Sequence, residues 1–363
     1  MEKSDVNITI RKDKRYMGKF ITGYDENGKA EYQYVYGRTY DEAEKKVLIG
    51  LEIASRYMSG RYVTVGKVYS EWLNAIVNRV KESSFANYRA KFEKHILPVF
   101  GDIPCADLTA GRINEFINKK LADGLSAGYV HDIFTVFKSM LKYAQEEYSF
   151  RLSLKNVSVP KAEKKKIKKI SDTEQKMLVS YLTSNISVTA LGILISLFMG
   201  LRIGEICGLK WKYVDFQNKI LHIRRTVQRI SSVKGNKKTK IIISTPKSDT
   251  SFRDIAVPNF LMKYFKMFRN KADFFILSGK EKPVEPRTMQ YRYKKILQYA
   301  NVENCNFHKL RHTFATNCAE KGFDIKLLSS VLGHNSVNLT LERYVHPDFI
   351  YQRRMMNNIC MKL

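Results

Sequence analysis

The chain has 363 residues, room for about two or three domains that each bury a core. Its 63 lysines and arginines against 35 aspartates and glutamates give a formal charge of +28, which favours a polyanionic partner, nucleic acid ahead of anionic membrane. No apolar run approaches the ~20 residues of a membrane-spanning helix and residues 1–10 lack a signal peptide's apolar core, so a cytosolic protein with no membrane partner is expected. Five scattered cysteines without a C-x-x-C pair argue against a zinc ribbon or a disulfide framework.

Residues 6–11, 16–22 and 31–37 are rich in aromatic and β-branched side chains, and Asn27-Gly28 supplies a hairpin turn, so the chain is expected to open on a small sheet. A helix over 40–57 follows, started by a capping box of Thr39 with Glu42 and carrying Ala43, Val47, Leu51 and Ala54 at helical spacing. Lys12, Lys14, Arg15, Lys19 and Lys29 interleave with Tyr16, Tyr32, Tyr34 and Tyr36. That mixture suits a sheet laid against DNA, with cations on phosphates and rings as packing, and it suits equally a solvated basic surface.

A boundary is read at Gly60-Arg61-Tyr62, and residues 64–158 are expected to be almost wholly helical. Trp72, Leu73, Ile76 and Val80 form one apolar stripe, Ile113, Phe116, Ile117 and Leu121 a second, and Ile133, Phe134, Phe137, Met140, Leu141 and Ala144 a third. Pro98 and Gly101 are expected to end a helix that carries Arg89, Lys91 and Lys94, giving a bundle with a basic face in which His95 is structural. Residues 160–170 hold six lysines, among them Lys164, Lys165 and Lys166, and one glutamate. With no apolar period they read as a linker, either a solvated spacer or a cationic strap along a duplex.

Ser171-Asp172-Thr173-Glu174 is a strong helix start and opens the last domain. Residues 190–201 form an apolar run of helical length that delivers Arg202 at its end, which implies a buried helix. Residues 219–228, 240–244 and 252–257 read as three strands, with Lys247 in the second connection, and helical patterns resume after Pro258. Near the end, His308 and Arg311 lie three apart in a helical segment, so one titratable group and one fixed cation share a face. Leu332-Gly333-His334 breaks the apolar pattern, and Tyr344 follows His334 by ten residues.

Nucleophilic cleavage of a phosphodiester requires a nucleophile, neutralisation of the nonbridging oxygens and a proton for the departing oxygen. No Asp/Glu cluster stands out as a metal site and no cofactor is indicated, so protein cations are candidates for the work. Arginine suits the nonbridging oxygens because its planar fork donates two parallel hydrogen bonds and stays charged, which singles out Arg202 and Arg311.

Gly200-Leu201-Arg202-Ile203-Gly204-Glu205-Ile206 with Leu209 and Trp211, then His308-x-x-Arg311-His312-Thr313, Leu332-Gly333-His334 and Tyr344-Val345-His346 resemble, in order, the motifs of the tyrosine recombinase (phage integrase) family. Asn87-Tyr88, His95-Ile96-x-Pro98 and Phe100-Gly101 resemble the family's core-type DNA-binding domain, and the first 60 residues, more loosely, the arm-type domain of integrases from phages and conjugative transposons. The resemblance implies a multidomain, mainly α fold with small β-sheets. An arm-binding sheet plus helix over 1–60 precedes a helical core-binding bundle over 61–159, with Lys12, Arg15, Lys19, Arg89 and Lys94 as candidate DNA contacts. The linker over 160–170 then leads to a mixed α/β, mostly helical catalytic domain over 171–346 and a tail over 347–363 that docks in trans on a neighbouring protomer or packs in cis.

The resemblance also implies roles. Tyr344 is the nucleophile that forms a 3′-phosphotyrosyl bond, and its phenol, ordinarily near pKa ~10, needs help to attack. Arg202 and Arg311 clamp the phosphate, His308 is general base or proton relay, Lys247 protonates the leaving oxygen, His334 donates to the phosphate and Glu205 supports Arg202. Lys234, Lys237, Lys238 and Lys240 lie near Lys247, which is preferred because Lys-Ser followed by residues 252–258 resembles the family's lysine turn and third strand. His312 and His346 are read as structural. The implied partners are double-stranded attachment-site DNA, three further protomers in a synaptic tetramer, a directionality protein (excisionase) and a host DNA-bending protein. A type IB topoisomerase and a catalytically silent DNA-binding accessory protein are the competing readings.

Overall fold

A computed structural model of the chain describes residues 6–24, 29–148, 152–160, 169–232, 239–245, 252–344 and, in the tail, 353, 356 and 357. The chain divides into two units, Met1–Lys164 and Lys165–Leu363. The Asn27-Gly28 turn, Lys164, Lys165, Lys166, Lys247 and most of the tail lie outside the described residues.

In the first unit β1 (Ile8–Ile10), β2 (Tyr16–Tyr24) and β3 (Ala30–Gly37) pair antiparallel in that order. α1 (Tyr40–Tyr62) begins where Thr39 accepts from the Glu42 N–H at 3.2 Å, and Glu42 reaches back to the Arg38 N–H at 2.8 Å. The helix runs through Gly60, past its expected end near residue 57. Val47 and Ala54 close on Phe20 of β2, with Val6 and Val35 beside them. Gly50 permits that approach, because a Cβ there would stand 2.2 Å from the Phe20 ring. Tyr32, Tyr34 and Tyr36 alternate onto the sheet's outer face and are 48%, 50% and 41% exposed, so three rings face solvent rather than α1.

Helices α2 (Val65–Ile76), α3 (Glu82–Lys91), α4 (Leu97–Phe100), α5 (Ala110–Ala122) and α6 (Ala127–Tyr148) follow. The three apolar stripes meet in one core through Trp72, Ile113, Phe116, Ile117, Ile133, Phe137 and Met140. Pro98 does not end a helix here. The backbone passes from α3 through a π-helical turn at Phe92–Ile96 into α4, so Pro98 falls in a first turn, where a missing N–H costs little. Gly101 closes α4, donating to the Leu97 carbonyl at 2.9 Å.

The second unit begins at α7 (Asp172–Ser184), whose capping box is complete: Ser171 Oγ accepts from the Glu174 N–H at 3.3 Å, and Glu174 accepts from the Ser171 N–H at 3.1 Å. α8 (Val188–Met199) is the centre of the core, with Leu191, Ile193, Leu194 and Ile195 fully buried. After the short α9 (Ile203–Cys207) come β4 (Val214–Asp215), β5 (Ile220–Ile223), β6 (Thr226–Ser231), β7 (Thr239–Ser244) and β8 (Arg253–Ala256). The single strand expected over 219–228 is therefore two. β5 lies between β4 and β8, whereas β6 pairs with β7 in a separate antiparallel ribbon. The division falls at Arg224, whose guanidinium leaves the strand direction to donate to the Arg253 carbonyl at 3.1 Å and to Asp254 at 2.6 Å.

Helices α10 (Asn259–Met267), α11 (Pro286–Tyr299), α12 (His308–Glu320), α13 (Ile325–Leu332) and α14 (Val337–Tyr344) complete the unit. A small second cluster of Ala315, Ala319, Leu328, Leu332 and Tyr344 pins the end of α14 against α12 and α13. Among the described residues no helix is long and apolar enough to cross a membrane.

Candidate active site

Arg202 is positioned by the way α8 stops. Gly200 adopts the left-handed conformation at φ +69, which turns the chain sharply and leaves Arg202 as the first residue before α9. Glu205, one turn on, folds back: its carboxylate accepts from the Arg202 backbone N–H and from Arg202 Nη1, each at 2.9 Å. The same carboxylate accepts from Arg253 Nη1 at 3.1 Å and Nη2 at 2.9 Å. Arg253 Nε donates to the Val331 carbonyl at 2.6 Å, which ties β8 to the end of α13. Burial works against a charged Glu205, but the charge and hydrogen bonds of Arg253, followed by Arg202 and Arg311, override it and hold its pKa at about 2. Glu205 is thus an anion that fixes two guanidiniums, with Arg202 the more accessible at 37% side-chain exposure against 6% for Arg253.

On α12, Arg311 is only 1% exposed. Its Nη1 donates to the Gly200 carbonyl at 2.7 Å and its Nη2 to the Leu332 carbonyl at 2.6 Å, so one side chain joins the ends of α8 and α13. Burial first, then the Arg202 charge, lowers its pKa to about 9, with Glu205 acting in the opposite sense, and the group stays cationic at neutral pH. Gly333, left-handed at φ +63, caps α13 and turns His334 inward, where its Nδ1 lies 2.8 Å from the Oγ1 of fully buried Thr340. The Gly333 carbonyl lies 3.5 Å from Arg202 Nη2, at the limit of a hydrogen bond.

Tyr344 is the last residue of α14 and is 6% exposed. Its Oη lies 2.8 Å from His312 Nδ1, and its ring is parallel to that of His334, centroids 6.3 Å apart. His308, exposed at the start of α12, packs edge-on against His312 with centroids 4.5 Å apart. Arg202, Glu205, Arg311, His334, Tyr344 and, through His312, His308 are therefore gathered at the ends of α8, α12, α13 and α14. Lys247 lies outside the described residues, beyond the end of β7. Among the described residues no group of three or more His, Cys, Asp or Glu side chains is placed to hold a metal ion.

The candidate DNA contacts of the first unit lie away from buried positions. Lys12 and Arg15 are exposed in the turn between β1 and β2 and Lys19 is exposed on β2, with Arg15 paired to Asp13 at 2.8 Å and Lys19 over the Tyr32 ring at 5.2 Å. Lys94 is exposed, while Arg89 is held by Glu93 at 2.6 Å.

Two site residues escaped the sequence reading. Arg253 alternates with Ile255 and Val257 on the buried side, so an arginine at a core-facing strand position was the available signal for a hidden carboxylate. His312 follows His308 by four residues, hence shares its helical face, and that spacing was the signal for a second imidazole in the site.

Two family models match the chain, the phage integrase family over residues 160–350 and the phage integrase N-terminal SAM-like domain over 64–121. A XerC-like tyrosine recombinase of Caldanaerobacter subterraneus subsp. tengcongensis is 29% identical, covering 93% of this chain and 94% of the relative. The ICEBs1 integrase of Bacillus subtilis is 23% identical over 80% of this chain and 81% of its own. In fold, the Tn1549 transposon integrase solved with transposon right end DNA matches with a TM-score of 0.66 at 21% identity, covering 82% of this chain and all (100%) of that one. A lambda integrase dimer solved on a core site matches at 0.58 and 18% identity, over 96% and 99% of the two chains. With the family match extending over more than half of its length, and joined to a site of two arginines, two histidines and a tyrosine in the family's order, the chain belongs to the phage integrase family, the tyrosine recombinases that cleave and rejoin DNA.

Proposed function

We propose that the protein is a site-specific integrase of a mobile element, which cuts and reseals attachment-site DNA through Tyr344. The observation that carries this reading is the convergence of Tyr344 Oη, Arg202, Arg311 and His334 on one site whose guanidiniums are fixed by Glu205 and by backbone carbonyls. Donors fixed before the reaction do not have to be reorganised as charge builds on a phosphorane, which is the principal source of electrostatic catalysis.

In this mechanism Tyr344 Oη attacks the scissile phosphorus and the bond to the 5′ oxygen breaks. The products are a 3′-phosphotyrosyl linkage and a free 5′-hydroxyl. Arg202, the accessible guanidinium, takes a nonbridging oxygen, and Arg311 supplies charge from behind it. His334, oriented through Thr340, donates to the phosphate. His308 passes protons at the solvent edge of the site, and Lys247 protonates the departing oxygen. The phosphotyrosyl bond conserves the energy of the cut linkage, so a 5′-hydroxyl from a partner strand reseals it without ATP.

Exchange of two pairs of strands takes four protomers, and the solved lambda integrase tetramer on a Holliday junction, similar in fold, supports a tetramer in synapsis. The sheet of the first unit, with Lys12, Arg15, Lys19 and the exposed tyrosines, reads as an arm-site DNA surface, and Lys94 with Arg89 and the linker lysines Lys164, Lys165 and Lys166 as core-site contacts. An excisionase and a host DNA-bending protein set direction, and the tail docks on a neighbouring protomer. The similarity to integrases and transposases of mobile elements, among them the transposase of Tn916 from Enterococcus faecalis at 29% identity over 43% of this chain, supports the mobile-element assignment.

The test is a plasmid carrying the ends of the element. Purified protein is expected to excise the segment between them and yield the joined junction, whereas Tyr344→Phe yields none. Relaxation of any supercoiled plasmid with no exchange would favour a topoisomerase, and retention of DNA with neither cutting nor exchange an accessory role.

A further inference from the structure

We infer that His312 is the base that takes the phenolic proton of the nucleophile, an assignment that rests on Tyr344 being that nucleophile. His308, the histidine favoured for that task by sequence, packs edge-on against His312, and His312 Nδ1 lies 2.8 Å from Tyr344 Oη. Both partners are 6% exposed, so the pair meets in a site from which bulk water is largely excluded. A general base must lie within hydrogen-bond reach of the proton it removes, about 2.6–3.2 Å between heavy atoms, and this contact meets that condition before DNA arrives.

The surroundings fit the assignment. A neutral imidazole has one donor and one acceptor nitrogen, and with Nδ1 as acceptor it receives the Tyr344 O–H. His334 also meets Tyr344, by parallel stacking on its ring, and its own Nδ1 is engaged by Thr340.

The O–H bond of Tyr344 breaks and its proton passes to His312 Nδ1, while the oxygen's electron pair forms the Oη–P bond. The bond from phosphorus to the 5′ oxygen breaks with its pair on oxygen, which takes a proton from the leaving-group acid. On rejoining, a 5′-hydroxyl gives its proton to the deprotonated leaving-group acid as its oxygen bonds phosphorus, the Oη–P bond breaks with its pair on Oη, and His312 returns its proton there.

The experiment uses full-length protein with His312→Asn, His312→Ala or Tyr344→Phe and two DNA substrates. The first is a suicide duplex that traps the covalent adduct. The second carries an activated 3′-p-nitrophenyl phosphate, whose joining to a 5′-hydroxyl bypasses Tyr344 and its proton partner. Asparagine keeps an oxygen able to accept the phenol hydrogen bond but cannot take the proton. Both His312 variants are expected to cleave the suicide duplex about 10²- to 10⁴-fold more slowly than wild type while joining the activated ester at the wild-type rate. That joining also shows that the variants are folded. Wild-type cleavage by His312→Asn overturns the assignment, and parallel loss of cleavage and joining in His312→Asn overturns it in favour of a role at the phosphate or in the fold. If Tyr344→Phe itself still forms the adduct, the nucleophile is elsewhere and both assignments fall, a result distinct from either of the others.

Discussion

Removing the charge of Glu205 tests how the site is held before DNA arrives. Glu205→Gln preserves the shape but replaces one carboxylate oxygen with an NH₂ group facing a guanidinium. The carboxylate is 3% exposed and accepts four hydrogen bonds of 2.9 to 3.1 Å from Arg202 and Arg253. Its pKa, lowered from 4.5 to about 2, corresponds to about 3 kcal/mol of stability at neutral pH. Breaking a buried ion pair at one partner costs a similar ~3–5 kcal/mol, because Arg253 stays buried and uncompensated. For a depressed carboxyl this contribution is complete above the unfolded-state value near 4.5 and is lost as pH falls toward about 2.

The chain's two tryptophans serve the assay, since Trp72 lies in the first unit and Trp211, 4% exposed, in the core of the second. In a Trp72→Phe background, urea unfolding followed by fluorescence reports the second unit. Glu205→Gln is expected to lower its stability by about 3 kcal/mol, and adding Arg253→Met is expected to restore more than half of that loss. A loss below about 1 kcal/mol, or a double variant no more stable than the single one, would refute the reasoning.

Gly200→Ala forces a left-handed alanine and sets a Cβ 2.5 Å from the Phe314 ring, so a loss of about 1–3 kcal/mol in the same unfolding assay is expected together with reduced cleavage. Arg311→Lys cannot span the Gly200 and Leu332 carbonyls, now held at 2.7 and 2.6 Å. It is expected to lower the melting temperature and to slow suicide-substrate cleavage by about 10²-fold or more. Lys247→Ala is expected to lose cleavage of ordinary DNA but to regain most of it on a substrate whose 5′ bridging oxygen is replaced by sulfur, a leaving group that needs no proton. Failure of the sulfur substrate to rescue it would move the acid to another residue.

Local signals read well where the physics is local. Ser171 to Glu174 encodes its own capping box, and the apolar run over 190–201 encodes a buried helix, whereas the left-handed stop at Gly200 emerged only in the structure. The gathering of Arg202, Arg311, His334 and Tyr344 was anticipated by motif order, not by anything periodicity measures. What stayed hidden depends on pairing across the fold. Residues 219–228 carry one strand-like pattern, yet β5 and β6 join different sheets because partners, not propensity, decide where a ladder ends. Pro98 looked like a stop until a π-helical turn placed it at a helix start. Arg253 and His312 read as an ordinary strand arginine and a structural histidine, because their partners Glu205 and Tyr344 are 48 and 32 residues away.

The nucleophile itself is open to direct identification. Protein trapped on a suicide duplex, digested with nuclease and trypsin and fragmented in a mass spectrometer, is expected to yield the peptide over residues 344–353 carrying a nucleotide through its 3′ phosphate. That peptide holds two tyrosines, so the fragments must place the mass on Tyr344 and leave Tyr351 bare. A nucleotide on Tyr351, on any other side chain, or attached through a 5′ phosphate would contradict the mechanism.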